Sequence, residues 1–330
     1  MVALITGASG FIGSQLALRL ANQGIKVVGL YRSNLLPELE QHPNVTLYKG
    51  DITQPDTLVA PMKEATVVYH TAALATNWAK DPSLFDRINV EGTRNVLEAA
   101  QQHGIQRVVY TSTAAVIGPQ QGTDPVNESL VRQMPLFLDY ERTKTEAEKL
   151  ANDFVAKGLE IVTVLPTRVY GPGPENKSNV GTFITRQYLR GKMRFLPGDG
   201  QSIGNYVHIE DIVEGHVLAM EKGVSGERYL LGGENASLPQ FFEVVAGASG
   251  RKFSMFNIPL PILIGVGYGM QAYTAITGKA PLYLPNDIRR YSYNWGVSSE
   301  KAKRELGYDP RPMKVGLPQT VDWLIKKGVV

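Results

Sequence analysis

The stretch from Val2 to Gly13, Val-Ala-Leu-Ile-Thr-Gly-Ala-Ser-Gly-Phe-Ile-Gly, constrains the fold of this chain more than any other. Its apolar run Val2–Ile5 predicts a parallel strand that is buried on both faces. After the glycines, Ile12, Leu16 and Leu20 fall four residues apart, which predicts a helix packed on a sheet. A strand, a glycine turn and a helix start predict an anion site, because the first N–H groups of a helix are unpaired and carry partial positive charge.

Each of the three glycines has a physical reason to be there. Gly7 can adopt a positive φ, Gly10 lets the backbone approach a pyrophosphate, and Gly13 lets helix and strand pack closely. The spacing is Gly-x-x-Gly-x-x-Gly rather than Gly-x-Gly-x-x-Gly, and a merely flexible turn is the alternative. We favour a dinucleotide site because a strand and a helix flank the glycines in the required order.

Strands and helices alternate along the chain, which predicts an α/β fold with a doubly wound parallel Rossmann sheet and a smaller, interleaved C-terminal substrate lobe. We assign residues 1–169, with about 204–232, to the dinucleotide-binding domain, and residues 170–203 and 233–330 to the substrate lobe. A helix is predicted from Asn89 to Ala99. The predicted strands are Val2–Ile5, Lys26–Tyr31, Val45–Lys49, Val67–His70, Arg107–Thr111, Ile161–Leu165, Tyr206–Asp211 and Arg228–Leu231.

Composition excludes several classes of function. The 330 residues include 34 Lys and Arg against 31 Asp and Glu, with no basic run, so nucleic acid is a poor partner. The absence of cysteine excludes disulfides, thiolate metal sites and cysteine nucleophiles, and no metal is expected. The first predicted strand begins at residue 2, which leaves no room for a signal peptide, and a cytoplasmic location is expected. No integral membrane segment is expected either.

The end of the second predicted strand bears on the choice of cofactor. An acidic residue there would bind the ribose 2′-hydroxyl of NAD, but this chain has Arg32 and no carboxylate. A guanidinium suits a 2′-phosphate through charge-assisted hydrogen bonds. We therefore predict NADP, with Arg32 as the phosphate partner. The alternative is that Arg32 stacks on adenine and the cofactor is NAD.

Tyr140 and Lys144 form the main candidate for chemistry. The surrounding sequence favours a helix, and the spacing of four places both side chains on one face. A phenol with a pKa near 10 is a poor acid–base group at neutral pH, and a neighbouring ammonium lowers that pKa. The pair suits proton transfer to or from an alcohol or carbonyl oxygen. A hydroxyl from the predicted strand end Thr111–Thr113 can hold the substrate oxygen near the tyrosine.

Four motifs together resemble one family. They are Thr6–Gly13, Thr111–Thr113, Tyr140-x-x-x-Lys144 and Tyr206–Asp211, and they occur in the order and spacing of the extended short-chain dehydrogenase/reductases. The likeness covers nearly the whole chain. It is closest to the dihydroflavonol-4-reductase-like branch, which includes the hopanoid-associated sugar epimerase group.

The resemblance implies hydride exchange with nicotinamide. Tyr140 would be the acid/base, and Lys144 would bind the nicotinamide ribose and tune Tyr140. Thr113 matches the third catalytic position, which is usually Ser, and Ser112 is the fallback. A homodimer is implied by analogy. The residues expected at the cofactor are Gly7, Ser9, Gly10, Phe11, Ile12, Gly13, Arg32, Asp51, Ile52, Thr71, Ala72, Ala73, Thr111, Tyr140, Lys144, Pro166, Thr167 and Val169.

One departure from the resembled family bears on the substrate. Nucleotide-sugar epimerases usually carry an arginine two residues before the tyrosine of the Tyr206 motif, where it grips a diphosphate. This chain has Gly204 there, and Arg186, Lys192 or Arg194 are the candidates to replace that arginine. Loss of an arginine–phosphate contact weakens diphosphate binding.

The apolar stretch 258–276 is interrupted by prolines, glycines and Gln271, and it is too broken for a membrane span. We expect a helix packed in the second lobe, with an apolar wall or lid over a lipophilic substrate as the alternative.

These observations favour an NADP-dependent oxidoreductase that reduces a ketone or aldehyde of a fairly apolar small molecule, or oxidises the matching alcohol in the reverse direction. The alternative is a nucleotide-sugar epimerase or dehydratase with tightly bound NAD, which Gly204 disfavours. A non-catalytic dinucleotide sensor is a third hypothesis, and the intact Tyr140–Lys144 pair argues against it.

Overall fold

The strands follow from runs of apolar residues that alternate with helices, as the sequence predicts. The computed structural model describes residues 1–33, 35–119, 124–174 and 179–330. Its strands are β1 Val2–Thr6, β2 Lys26–Tyr31, β3 Val45–Lys49, β4 Val67–His70, β5 Arg107–Thr111, β6 Ile161–Pro166, β7 Arg168–Tyr170, β8 Phe195–Pro197, β9 Ile203–His208, β10 Arg228–Leu231, β11 Glu234–Ser237 and β12 Phe256–Ile258.

The helices connect these strands and cover the sheet. They are α1 Phe11–Asn22, α2 Pro37–Glu40, α3 Asp56–Glu64, α4 Ser83–Phe85, α5 Gly92–Gln102, α6 Asp139–Ala156, α7 Val180–Leu189, α8 Ile209–Lys222, α9 Leu238–Ser249, α10 Leu260–Thr277, α11 Pro285–Arg289, α12 Glu300–Leu306 and α13 Met313–Lys326. A π-helical segment, Asp86–Glu91, joins α4 to α5. No helix in the described part of the chain is long and apolar enough to cross a membrane.

A seven-stranded sheet in the order β10-β6-β5-β4-β1-β2-β3 forms the centre of the described fold. All of its strand pairs are parallel. Alternate residues of β1 face opposite sides, so Ala3 and Ile5 pack with α1 and α8, while Leu4 packs with α3, α5 and α6. The predicted doubly wound α/β architecture is confirmed, and β10 lies at one edge of the sheet.

Two smaller sheets lie beside the central one in the described part of the chain. Strand β9 pairs in parallel with β7 and antiparallel with β11, and β8 pairs with β12. Around them, α7, α9 and α13 share a core with Tyr170, Tyr206 and Phe241. Helix α11 contacts the segment before α6, where the Asn286 side chain donates a hydrogen bond of 2.8 Å to the Phe137 carbonyl.

Two predicted boundaries are wrong. The predicted strand Tyr206–Asp211 ends at His208, because the His208 ring accepts a hydrogen bond from the Glu210 N–H and caps α8. The helix predicted to begin at Asn89 begins earlier, at Ser83. Asn89 does not cap it, because its side chain bonds other segments: its oxygen accepts from the Leu74 N–H at 2.7 Å, and its nitrogen donates to Thr143 at 3.0 Å.

The expectation that stretch 258–276 is a helix packed inside the second lobe is only half right. It does form α10, but Gly267 is the one residue of that helix that is buried. Gly267 lies against Pro285 and Ile288 of α11. Most of the apolar side chains of α10 are exposed or half-exposed.

Candidate active site

The turn between β1 and α1 is a tight glycine cradle. Gly7 has φ of +75°, and a Cβ there would lie 2.9 Å from the Ala72 backbone. A Cβ on Gly13 would lie 2.3 Å from the Gly7 carbonyl oxygen and 2.7 Å from the Thr71 hydroxyl. A Cβ on Gly10 would lie 3.0 Å from that same carbonyl oxygen. Each glycine is therefore required by close backbone approach.

The cradle fits the pyrophosphate of a dinucleotide. Gly10 is the N-cap of α1 and supplies no side-chain hydrogen bond, so the first N–H groups of the helix have no side-chain cap. Ser9, Gly10 and Ile12 are half-buried, while the Phe11 side chain is buried in the core. Unpaired donors at a helix N-terminus are an anion site.

The strand next to the cradle holds its shape through two threonines. The Thr71 hydroxyl donates a hydrogen bond of 2.7 Å to the Thr6 carbonyl, and the Ala72 N–H donates one of 3.3 Å to the Thr6 hydroxyl. Ala73 continues this segment and is half-buried. The small side chains after β4 therefore lie directly beside Gly7 and Gly13.

Arg32 and Asp51 lie together at the ends of β2 and β3. The Arg32 guanidinium is 3.6 Å from the Asp51 carboxylate, and the arginine side chain is 63% exposed. Burial alone would raise the pKa of Asp51, but the Thr53 hydrogen bonds and the Arg32 charge together lower it. Ile52, by contrast, packs in the core against Gly92. An exposed guanidinium at this edge remains able to bind a phosphate.

Tyr140 and Thr113 meet at the carboxyl end of β5. Burial raises the pKa of the Tyr140 phenol to about 12, while a hydrogen bond from Thr113 and the charge of Arg290 oppose that rise. The Thr113 hydroxyl accepts from the Ala115 N–H at 3.3 Å, which leaves its own proton for the hydrogen bond to Tyr140. The phenol is therefore protonated at neutral pH and can donate a proton to an oxygen.

Lys144 is fully enclosed one turn after Tyr140. Its ammonium donates a hydrogen bond of 2.8 Å to the Thr111 carbonyl and lies 4.4 Å from the centre of the Tyr110 ring. Burial lowers the pKa of Lys144 to about 7, against the opposing charge of Glu148. The charges that act on the Tyr140 pKa in this structure are those of Arg290 and Glu141, so tuning of Tyr140 by Lys144 stays a prediction.

Ser112, the fallback hydroxyl, is occupied elsewhere. It is buried and donates a short hydrogen bond to the Glu148 carboxylate, which also pairs with Arg228 at 3.3 Å. Tyr140, Lys144 and Glu148 therefore follow one another at successive turns of α6. The sequence analysis missed Glu148, although its spacing of four from Lys144 was a usable signal.

Pro166 and Val169 lie on the strands that border this edge. Pro166 ends β6 beside Leu231 of β10, and Val169 pairs with Val207 of β9 with its side chain in the core. The Thr167 hydroxyl donates to Asn205 at 2.7 Å. The placement of Pro166, Thr167 and Val169 at the nicotinamide therefore stays a prediction.

The space beside Gly204 holds a guanidinium that the sequence analysis did not consider. A Cβ on Gly204 would lie 2.2 Å from an Arg168 terminal nitrogen. The candidate replacements are engaged elsewhere, because Arg186 lies over the Phe183 ring and Arg194 over the Phe253 ring. Lys192 follows α7 and is exposed. Arg168 lies on β7, in register with Tyr206 of β9.

Known proteins with similar sequences support the same kind of site. A model of the NAD dependent epimerase/dehydratase family matches residues 3–232. A provisionally named dihydroflavonol 4-reductase of Synechocystis sp. is 30% identical, across 99% of this chain and 95% of that protein. A Stigmatella aurantiaca protein named 4-hydroxy-2-methyl-3-oxo-4-farnesyl-3,4-dihydroquinoline-1-oxide ketoreductase is 30% identical, across 94% of this chain and 92% of that protein.

Solved structures agree in fold. The UDP-glucuronic acid 4-epimerase of Bacillus cereus, solved in complex with NAD, is 25% identical and superposes with a TM-score of 0.79. The match covers 99% of both chains. This neighbour holds a nicotinamide cofactor, and the glycine cradle of the present chain fits the same class of cofactor.

Proposed function

The chain belongs to the NAD dependent epimerase/dehydratase family, and from that premise we propose that it is an NADP-dependent reductase of a ketone or aldehyde on a fairly apolar small molecule. The observation that carries the proposal is the protonated Tyr140 phenol beside the Thr113 hydroxyl, at the same sheet edge as the glycine cradle. In the reverse direction the same site would oxidise the matching alcohol.

Each residue has a role that its surroundings support. A reduced nicotinamide, when bound, would supply hydride to a carbonyl carbon. Thr113 would turn its hydroxyl proton from Tyr140 to the carbonyl oxygen, and Tyr140 would donate a proton to that oxygen as charge develops on it. Lys144, held on the Thr111 carbonyl, keeps a titratable group with a pKa of about 7 behind the phenol and supports proton return.

An apolar substrate is favoured by three observations. The position of the usual diphosphate arginine is Gly204, and the ketoreductase relative is named for a ketone that carries a farnesyl chain. Helix α10 also presents apolar side chains next to α11, whose Asn286 contacts the segment before α6. A nucleotide sugar would use none of this apolar surface.

NADP is proposed over NAD because Arg32 is exposed at the end of β2. The nearest carboxylate there is Asp51, on the neighbouring strand, and it is paired with Arg32 at 3.6 Å. A 2′-phosphate would gain a charge-assisted hydrogen bond from this guanidinium.

The experiment is a spectrophotometric screen of NADPH and NADH oxidation against apolar ketones, aldehydes and nucleotide sugars. We expect turnover with apolar carbonyl compounds and NADPH. Turnover of a nucleotide sugar without net consumption of cofactor would overturn the proposal in favour of an epimerase.

A further inference from the structure

Two arginines lie at the candidate site, Arg290 near the start of α6 and Arg168 beside Gly204, and the charge around them is incompletely balanced. Arg168 donates a hydrogen bond of 3.2 Å to the Tyr206 hydroxyl and makes no ion pair with any described carboxylate. A guanidinium has five N–H donors, so most of those of Arg168 are left for another group. The arginine is half-buried, where unsatisfied donors are costly.

Arg290 has a similar excess of donors. Its Nε atom is 3.6 Å from a Glu141 oxygen, too far for a hydrogen bond, and both of those buried atoms lack a partner among the described residues. The guanidinium lies 4.3 Å from the centre of the Trp295 ring, a cation–π contact that leaves its N–H donors without an acceptor. The other oxygen of Glu141 is already bonded by Arg132 at 2.8 Å.

The two arginines also act on each other and on the reactive phenol. Burial lowers the pKa of Arg290, Glu141 raises it, and the charge of Arg168 lowers it again. The charge of Arg290 in turn lowers the pKa of Tyr140. Contacts place the two arginines at one site. Glu141, 3.6 Å from Arg290, directly follows Tyr140 in α6. Trp295, whose ring lies under Arg290, donates a backbone hydrogen bond of 2.8 Å to the carbonyl of Ile203, the neighbour of Gly204 and therefore of Arg168.

Charge balance indicates which group that is. Arg132 and Arg290 face two carboxylates, Glu141 and Asp287, and no carboxylate among the described residues pairs with Arg168. When all five are ionised, one positive charge remains uncompensated. A single carboxylate would neutralise it, whereas a phosphate dianion would leave an excess of negative charge.

We propose that Arg168 and Arg290 form an anion-binding subsite beside Tyr140, and that the substrate carries a carboxylate which these two guanidinium groups hold. The inference rests on the proposed reductase function and narrows its substrate to a keto acid with an apolar body. Gly204 is part of the subsite, because any side chain there would displace the Arg168 guanidinium.

The binding test does not depend on turnover. Benzoate is titrated calorimetrically into the NADP-loaded protein at fixed ionic strength, with inorganic phosphate and UDP as comparison anions. We expect benzoate binding to weaken about tenfold to a hundredfold in Arg168→Met and in Arg290→Met. Arg304→Met, which removes an exposed arginine paired with Glu305 on α12, is the control and should bind like the unaltered protein.

Gly204→Ala gives a second route, because it keeps the charge of Arg168 but moves the guanidinium. It should weaken benzoate binding as strongly as Arg168→Met. If Arg168→Met does not fold, Gly204→Ala shows whether benzoate binding depends on the Arg168 guanidinium. Benzoate binding that survives in Arg290→Met and Gly204→Ala would overturn the subsite. Tighter arginine-dependent binding of phosphate or UDP would overturn the carboxylate.

The kinetic test compares 4-oxo-4-phenylbutanoate with its methyl ester in NADPH oxidation. We expect kcat/KM for the acid to exceed that for the ester by at least about tenfold, and Arg290→Met to remove that preference. Equal rates for acid and ester in the unaltered protein would overturn the proposal. If no carbonyl compound is reduced while arginine-dependent benzoate binding persists, the proposed reductase function fails and the subsite stands.

Discussion

Strand β1 and helix α10 are both almost wholly apolar in sequence, yet the fold treats them in opposite ways. Ala3, Leu4 and Ile5 are completely buried between two layers of helices. In α10, Ile262 is 60% and Ile276 is 86% exposed. Apolar residues become core only where the topology supplies a partner on each face. A parallel central strand has such partners on both faces, while α10 packs mainly against α11 among the described residues.

This difference separates two kinds of constraint. Around β1 the identity of a residue is fixed by the atoms that touch it, so substitutions there change stability and cofactor binding together. In α10 few atoms touch the side chains, so packing does not explain why they are apolar. The predictions below use matched substitutions in the two regions, beginning with the largest expected effect.

Tyr140→Phe removes one oxygen from the candidate active site, on α6, and leaves the packing around the ring intact. We expect turnover to fall by about a hundredfold to ten-thousandfold, because general acid catalysis is lost, while NADPH affinity stays nearly unchanged. Steady-state rates and a cofactor titration measure the two effects. Tyr273→Phe is the matched change in α10, where the tyrosine is 54% exposed, and it should leave turnover unaltered. Activity near that of the unaltered protein in Tyr140→Phe would contradict the acid/base role.

Gly13→Ala adds a methyl group where the space is already taken. Its Cβ would lie 2.3 Å from the Gly7 carbonyl oxygen, so β1 and α1 would have to separate. We expect a loss of about 1–3 kcal/mol in the free energy of unfolding, with a larger relative loss of cofactor affinity. Denaturant unfolding and a cofactor titration check this. A variant as stable as the parent would show that the cradle is looser than the distances imply.

The central sheet and its helices, where β1 lies, are also the part of the fold that sequence patterns predict well. Apolar runs predict the strands β1 to β6, and helical spacing predicts the Tyr140–Lys144 pair. Both signals are local in sequence. The contacts that escaped prediction join distant segments: Ser112 bonds Glu148 across 36 positions, and Asn89 bonds Thr143 across 54. No local pattern encodes such an approach.

Contacts between distant segments also explain why Arg168 and the exposure of α10 were missed from the sequence. Arg168 fills the space beside Gly204 because β7 and β9 pair in parallel, which brings Arg168 opposite Tyr206. Searching the sequence for a replacement arginine near position 204 pointed to Arg186, Lys192 and Arg194 instead. The exposure of α10 was equally invisible, because apolar composition predicts burial unless the number of packing partners is known.

Arg32→Ala tests an exposed residue at the end of β2, next to the buried strands of the central sheet. We expect NADPH to bind at least about tenfold more weakly, because a charge-assisted bond to the 2′-phosphate is lost, and NADH to change little. Fluorescence titrations with both cofactors measure the difference. Arg19→Ala removes another exposed arginine, paired with Glu214, and should affect neither cofactor. An equal loss for NADPH and NADH would remove the argument for NADP.

The smallest expected effect has the opposite sign and lies in α10. Gly265 and Gly269 are inside that helix, and nothing lies within 4 Å of a Cβ built on either. Alanine in a helix interior is favoured over glycine by about 0.5–1 kcal/mol, because less chain entropy is lost on folding. Gly265→Ala and Gly269→Ala should therefore each stabilise the protein slightly, as measured by denaturant unfolding, while Gly13→Ala destabilises it.

The sign of that effect is what the comparison depends on. The same added methyl group meets backbone at Gly13 and open space at Gly265 and Gly269, so opposite changes in stability are expected from one chemical substitution. If the α10 variants were instead destabilised, some part of the protein or a second molecule would have to cover α10 in solution. That result would place α10 among the packed surfaces, and its apolar sequence would then be explained by burial after all.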